Sequence, residues 1–150
     1  TAWRAIAFDD STWPSGPAQL GYGDGGEGTV IPFGGNAAAK YITTYFRKKF
    51  TITSPSSIQS ARLFLLRDDG AVVFLNGQQV ARSNMHATNP ISWSTTALSN
   101  VGAPDESTFF YEYPVNPAWL VAGDNVLSVE VHQVSVNSPD LLWDGELLAY

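Results

Sequence analysis

Glycine and proline interrupt this chain so often that no long regular helix can run through it. Between them lie short runs rich in Val, Leu, Phe, Tyr and Thr, and no extended stretch repeats its apolar residues at helical spacing. Short β-favouring runs bounded by turn residues are the mark of an all-β chain. Strands are expected at Ala2 to Phe8, Tyr41 to Thr53, Ser60 to Arg67, Ala71 to Leu75, Gln79 to Ser83, Thr108 to Pro114, Asn125 to Gln133 and Leu141 to Ala149, about eight in all. The fold class that follows is a β-sandwich. At 150 residues the chain can bury about 70% of its unfolded surface, which suits one core, so residues 1–150 are read as a single domain.

The clearest hairpin is Val72-Val73-Phe74-Leu75-Asn76-Gly77-Gln78-Gln79-Val80, because Asn-Gly supplies the two positive φ values of a type I′ turn. Arg67-Asp68-Asp69-Gly70 makes the turn at the far end of the first of these strands. Tracing the chain up and down then puts Asp68 to Gly70 and Arg82 to Met85 at the same end of the sandwich. Two long connections remain. Gly16 to Gly35 is crowded with glycine and reads as a surface loop. Asn84 to Ser107 contains a single tryptophan, Trp93. Pro114 to Asp124 reads as a short helical turn or an irregular lead-in to the next strand.

The net charge of −6 with eight basic residues argues against nucleic acid and against an anionic membrane surface, both of which need clustered Lys and Arg. The tightest basic run, Arg47-Lys48-Lys49, alternates along a strand and is read as a solvated sheet face. Cysteine is absent, which a cytosolic chain and a secreted bacterial module of this size both tolerate. There is no apolar run long enough to span a bilayer, and the lack of an initiating Met and of a signal-like start suggests a processed chain or an excised piece.

Catalytic sets are hard to assemble. His86 and His132 are the two histidines, neither lies near a Gly-x-Ser-x-Gly elbow, and two His without Cys make a poor zinc site. In Val126 to His132 the odd positions are apolar while Ser128, Glu130 and His132 share the other face, which is how a half-exposed strand looks. Asp9-Asp10-Ser11 and Asp68-Asp69-Gly70 read as turn formers. No cofactor is required by any of these residues. If a metal is held, calcium is the better candidate because it takes carboxylate and carbonyl oxygens from irregular loops, and Asp68, Asp69 and Asp140, or the glycine-rich loop around Asp24, could supply them.

Sugar rings present C–H faces that stack on aromatic side chains while polar neighbours bond the hydroxyls. Trp93 leads as a stacking platform, with both exposure and packing open to it. Tyr22, between glycines in Leu20 to Gly25, comes second, and its packing against the core is the stronger reading. Trp3, Trp13 and Trp143 border strands and are read as core. Asp68, Asp69, Arg82, Asn84, His132 and Asp140 come from turns and strand ends that can converge on one rim. They make either a glycan or calcium site or an internal network in which Arg82 pairs with the aspartates.

Several segments resemble a known family: Trp3 with Phe8-Asp9-Asp10-Ser11-Thr12-Trp13, Tyr45-Phe46-Arg47 closing in Phe50, Val72 to Gly77, and Gly123-Asp124-Asn125 leading into Val126 to Val131. Together they are similar to the galactose-binding-domain-like jelly roll carried by many extracellular carbohydrate-active enzymes. Leu20 to Gly25, Asp68 to Gly70, Arg82 to Met85, Val129 to Gln133 and Ser138 to Asp140 further resemble an accessory domain of secreted bacterial hydrolases, phosphoesterases and surface proteins. The resemblance implies a non-catalytic carbohydrate-binding module, secreted or at the cell surface, that brings an attached catalytic domain to a polysaccharide. A structural spacer or protein-interaction domain, and a small carbohydrate-active enzyme, are the alternatives.

Overall fold

The computed structural model describes residues 2–150. Among them, nine strands form two sheets packed face to face. The strands are β1 (Leu20–Tyr22), β2 (Thr29–Val30), β3 (Thr43–Ile52), β4 (Ala61–Asp68), β5 (Gly70–Leu75), β6 (Gln78–Ser83), β7 (Tyr111–Val115), β8 (Gly123–His132) and β9 (Leu141–Ala149). One sheet has the order β2-β1-β9-β4-β7 and the other β3-β8-β5-β6. Every pairing is antiparallel except β1 with β2. The expected β-sandwich is therefore observed, with nine strands rather than eight.

Period-two alternation sorts the side chains. Leu63 and Leu65 of β4, Val73 and Leu75 of β5, Leu127, Val129 and Val131 of β8, and Leu141 and Trp143 of β9 point between the sheets and form the main core. The Asn-Gly hairpin forms as its sequence dictates, with φ of 51° at Asn76 and 84° at Gly77. The Asn76 side chain does more than turn the chain. Its Nδ2 donates to the Asn125 Oδ1 and to the Trp119 carbonyl, each at 2.8 Å, and its Oδ1 accepts from the Val126 amide. Fully buried Asn125 in turn binds Val121 and Gly123. The lead-in 114–124 holds one short 3-10 turn, Pro117–Trp119, capped by the Asn116 side chain.

Three expectations need correction. Ala2 to Phe8 is not a strand. It holds a 3-10 turn, Ala2–Arg4, followed by further turn bonds, and lies across the outer face of the four-stranded sheet instead of beside an edge. Trp3 packs edge-on against Tyr45 and Phe74, and Arg47 donates to the carbonyls of Trp3 and Ala5. Side chains of β3 thus do for this segment what a strand ladder would have done. For the same reason Arg47-Lys48-Lys49 is not a plain solvated face: the Arg47 side chain is 1% exposed, and Asp10 accepts from Arg47 at 2.8 Å and from Lys49 at 2.7 Å. Lastly, the 16–35 connection hides β1 and β2. At Gly21 an added Cβ would sit 2.1 Å from the Leu141 carbonyl oxygen, so glycine is what lets β1 lie against β9.

The polar face of β8 is also not half-exposed. Ser128, Glu130 and His132 are 0–2% exposed, because the N-terminal segment and the 84–107 connection both fold over it. Arg4 reaches Glu130 at 3.1 Å, and Val72, Phe74, Met85 and Ala97 form a second small core there, with Trp3, Ile91 and Val134 packed against it. His132 Nδ1 donates to the Thr95 carbonyl at 2.8 Å. Burial lowers the His132 value from 6.5 to about 4, which keeps the ring neutral near pH 7.

The unfolded chain binds a proton at His132 that the folded chain refuses, so this histidine lowers stability as pH falls from about 6.5 to about 4. In His132→Asn, whose amide can replace the Nδ1–H donor, chemical denaturation should show a pH dependence flatter across that window by up to about 3 kcal/mol. An unchanged slope would refute the assignment. Asp10 has the opposite sign and another window. Its hydrogen bonds from Arg47 and Lys49 hold it down at about 2, so its stabilisation is present above 3.8 and lost as pH falls towards 2. Asp10→Asn should cost about 1 kcal/mol at pH 7, a figure discounted for partial exposure, and progressively less as pH falls through 2.

Candidate functional site

At one end of the sandwich the β4–β5 turn meets the 84–107 and 133–140 connections, and Asp69 joins all three. Its Oδ1 accepts from the Val101 amide and its Oδ2 from the Val134 amide, both at 2.8 Å, with Ser138 Oγ at 3.4 Å. Asn84, at φ 52°, donates from Nδ2 to the Asp69 carbonyl at 3.0 Å and to the Ser99 carbonyl at 2.6 Å. Asp68 to Gly70 and Arg82 to Met85 do share this end, as the up-and-down tracing requires.

Between the edges of β6 and β7 the rim opens into a polar cleft of about 530 Å³, with Arg67, Arg82, Asn84, Asp105, Tyr111 and Tyr113 in its wall. Arg67 continues the inward phase of Ala61, Leu63 and Leu65, so a guanidinium stands where the core column ends. It is 4% exposed, lies 4.6 Å over the Tyr111 ring, donates to Ser83 Oγ at 2.9 Å and comes within 3.7 Å of Asp105. The Tyr111 hydroxyl donates to Asp105 Oδ2 at 2.9 Å.

Beside the cleft, Asp68, Glu106 and Asp140 bring carboxylate oxygens within 4.8 Å of one another. Asp68 is 1% exposed, and neither of its oxygens receives a hydrogen bond. Burial, then the negative charge of Asp69, pushes its carboxyl up to about 10. Burial and the charge of Asp140 also raise Glu106 and Asp24. Glu106 arrives on a one-turn helix, Asp105–Thr108, whose first residue, Asp105, faces the cleft.

The residues singled out from sequence separate here. Trp93 is 73% exposed, and the Thr43 hydroxyl donates to its carbonyl at 2.7 Å; it does not line the cleft. Tyr22 is no surface platform: it is 5% exposed, its ring packs on Phe33 and its hydroxyl accepts from Gln133 Nε2 at 2.7 Å. His132 is likewise sealed beneath the 84–107 connection and cannot meet a glycan. Asp69 is spent on backbone amides, which removes it from the metal group and from glycan contact alike, and buried Asp68 faces its fellow carboxylates. Arg82 and Asn84 do line the cleft. Arg82 pairs with none of the aspartates; its guanidinium donates to the His86 and Asn89 carbonyls and to Gln79. The arginine next to an aspartate is Arg67, which the strand phase of β4 points to. Nothing in the spacing singles out Glu106.

No protein-family model matches the chain, and no curated protein matches it. Solved structures do. An α-L-rhamnosidase of Streptomyces avermitilis, complexed with L-rhamnose, is 21% identical over 80% of this chain with a TM-score of 0.51. An α-L-rhamnosidase of Aspergillus terreus is 19% identical over 79%, with a TM-score of 0.50. The chain spans 10% and 13% of those two proteins, so what is shared is the fold of a small β-domain within much larger sugar hydrolases.

Asp69 is the clamp of this rim. Asp69→Asn leaves one backbone N–H facing an amide donor, and should lower the unfolding free energy by about 2 kcal/mol. Hydrogen exchange at the Val101 and Val134 amides should accelerate in the folded protein. Native protection at both amides in the variant would show that the connections hold themselves.

Proposed function

We propose that this chain is a non-catalytic carbohydrate-binding module of the galactose-binding-like jelly-roll type, part of a secreted or cell-surface protein, which holds an attached enzyme on a polysaccharide. Tethering makes the encounter of enzyme and substrate intramolecular, so a weak individual affinity suffices.

The observation that carries this reading is Trp93. A tryptophan exposes most of its indole on a connection whose backbone is pinned to the sheet by Thr43, which costs solvation and adds no packing. A spacer domain would have that ring packed away. The rim cleft adds hydrogen-bonding groups at the same end of the sandwich, in Arg82, Asn84 and the Tyr111–Asp105 pair. Glycoside hydrolysis ordinarily uses two carboxyl groups across a cleft, and Asp105 is the one acidic residue among those lining it, which favours binding over catalysis. The similar folds inside two α-L-rhamnosidases fit an accessory place in a carbohydrate-active protein.

The test is affinity electrophoresis and pull-down against a panel of soluble and insoluble polysaccharides. One glycan class should retain the protein, and Trp93→Ala should weaken retention at least tenfold, about 1.4 kcal/mol, while its thermal stability stays at the wild-type value. No retention on any glycan would favour the protein-interaction reading.

A further inference from the structure

Asp68 is the anomaly of the rim. Its neighbour Asp69 is just as buried, yet receives two backbone amides and a hydroxyl, so this fold can satisfy a buried carboxylate at this place. Asp68 receives no N–H or hydroxyl, its carboxyl stands against that of Asp69, and among the described residues no Lys, Arg or His forms an ion pair with Asp68, Glu106 or Asp140. Three carboxylates crowd together with the innermost one bare, an arrangement that desolvation and mutual repulsion both oppose. The missing component is a positive charge.

We propose that Asp68, Glu106 and Asp140 bind a calcium ion that locks the rim together. Their oxygens lie within 4.8 Å of one another, a spread that two calcium–oxygen bonds of about 2.3–2.6 Å can bridge. The donors are all hard oxygens, with no imidazole or thiolate among them, which disfavours zinc and copper. They come from three separate places in the chain, the end of β4, the one-turn helix and the 133–140 connection, and irregular all-oxygen sites of this kind suit calcium better than magnesium, which demands near-octahedral geometry. Next to the segment that carries Asp140, Gln133 is fully buried, donates from Nε2 to the Asp140 carbonyl at 2.5 Å, and leaves its Oε1 without a donor. Asp24, whose carboxyl feels the charge of Asp140, stands exposed at the outer side of the cluster.

The ion also has a structural consequence. Glu106 ligates it from the one-turn helix whose Asp105 accepts from Tyr111 in the cleft wall. Occupancy therefore fixes the 102–108 segment against the β4–β5 turn. The inference stands independently of glycan binding, because the ion touches none of the groups assigned to sugar contact.

Protein stripped with a chelator and dialysed should bind calcium chloride with one site per chain in isothermal titration, and its unfolding temperature should rise with calcium and much less with magnesium at equal concentration. Asp68→Asn should weaken calcium affinity at least tenfold and abolish the rise. Glu106→Gln, at a half-buried position and so compatible with folding, should also weaken it at least tenfold, whereas Asp124→Asn at the opposite end should behave as wild type. The competing account is that Asp68 holds a proton in place of a metal. In that case stripped wild-type protein is indifferent to calcium, and Asp68→Asn in saturating calcium is as stable as wild type in saturating calcium or more so; either result overturns the proposal. Glycan retention measured on the same samples separates this outcome from that of the binding reading.

Discussion

One carboxylate organises the cleft end of this sandwich. Asp69 sits in a turn between two strands of different sheets, and its two oxygens reach the backbones of two long connections. A charged acceptor is suited to this because each bond to an N–H is stronger than a neutral one and because two such bonds offset the cost of burying the charge. Asp69 shares the work with Asn84, which bonds the Ser99 carbonyl, and with the Leu98 amide bonded to the Asn84 carbonyl, so the cleft wall beside Arg67 is held from both sides. The helix carrying Asp105 and Glu106 begins four residues after Val101, so the Asp69 bonds and the Tyr111 bond to Asp105 together set the place of the cleft wall and of the acidic cluster.

The second organising constraint is that the central strands β5 and β8 of the four-stranded sheet are buried on both faces. A sandwich of two sheets normally leaves each outer face to water. Here Ser128, Glu130 and His132 lie under chain, and the two titratable groups among them find partners inside the protein. Glu130 takes Arg4, and His132 stays neutral and takes the Thr95 carbonyl. The cover also bears on Trp93. The same stretch that supplies Thr95 and Ala97 to the sheet presents Trp93 to solvent, so the exposed ring stands on a segment held at Thr43, at His132 and through the Ala97 amide at the Gln133 carbonyl. A stacking platform gains from such rigidity, since little freedom remains to be lost when a ligand docks.

Local patterns in the sequence were sufficient for the strands whose two faces differ and for the turns whose chemistry is specific. Asn76-Gly77 and the run Val126 to Val131 are of this kind. The pattern misleads wherever a second layer covers the sheet. Glu130 and His132 alternate with valines as they would on a wet face, and only the packing of residues 2–13 and 84–107 over them makes them interior. Ala2 to Phe8 has strand-like composition because it, too, lies on a sheet, but flat against it and bonded through Arg47. Arg67 was legible in principle, as an arginine in phase with Ala61, Leu63 and Leu65. Glu106 was not, since it lies 38 positions from Asp68 in a helix too short to carry a periodic signal.

The two features of the rim meet in two consecutive residues. Asp105 and Glu106 are adjacent in sequence, yet one carboxylate turns to Tyr111 and the Arg67 side of the cleft while the other joins Asp68 and Asp140. A single helical turn achieves this because successive residues project about 100° apart around the axis. If a cation among Asp68, Glu106 and Asp140 and a ligand at Asp105 each prefer one seat of this turn, the two are coupled through it. Such coupling is reciprocal by necessity, so a cation that steadies the cluster and a ligand that engages Asp105 must each favour the other if both prefer the same seat of the helix. The net charge of −6 then has a local meaning, since part of it is concentrated at the rim, where an ion would have the most to neutralise.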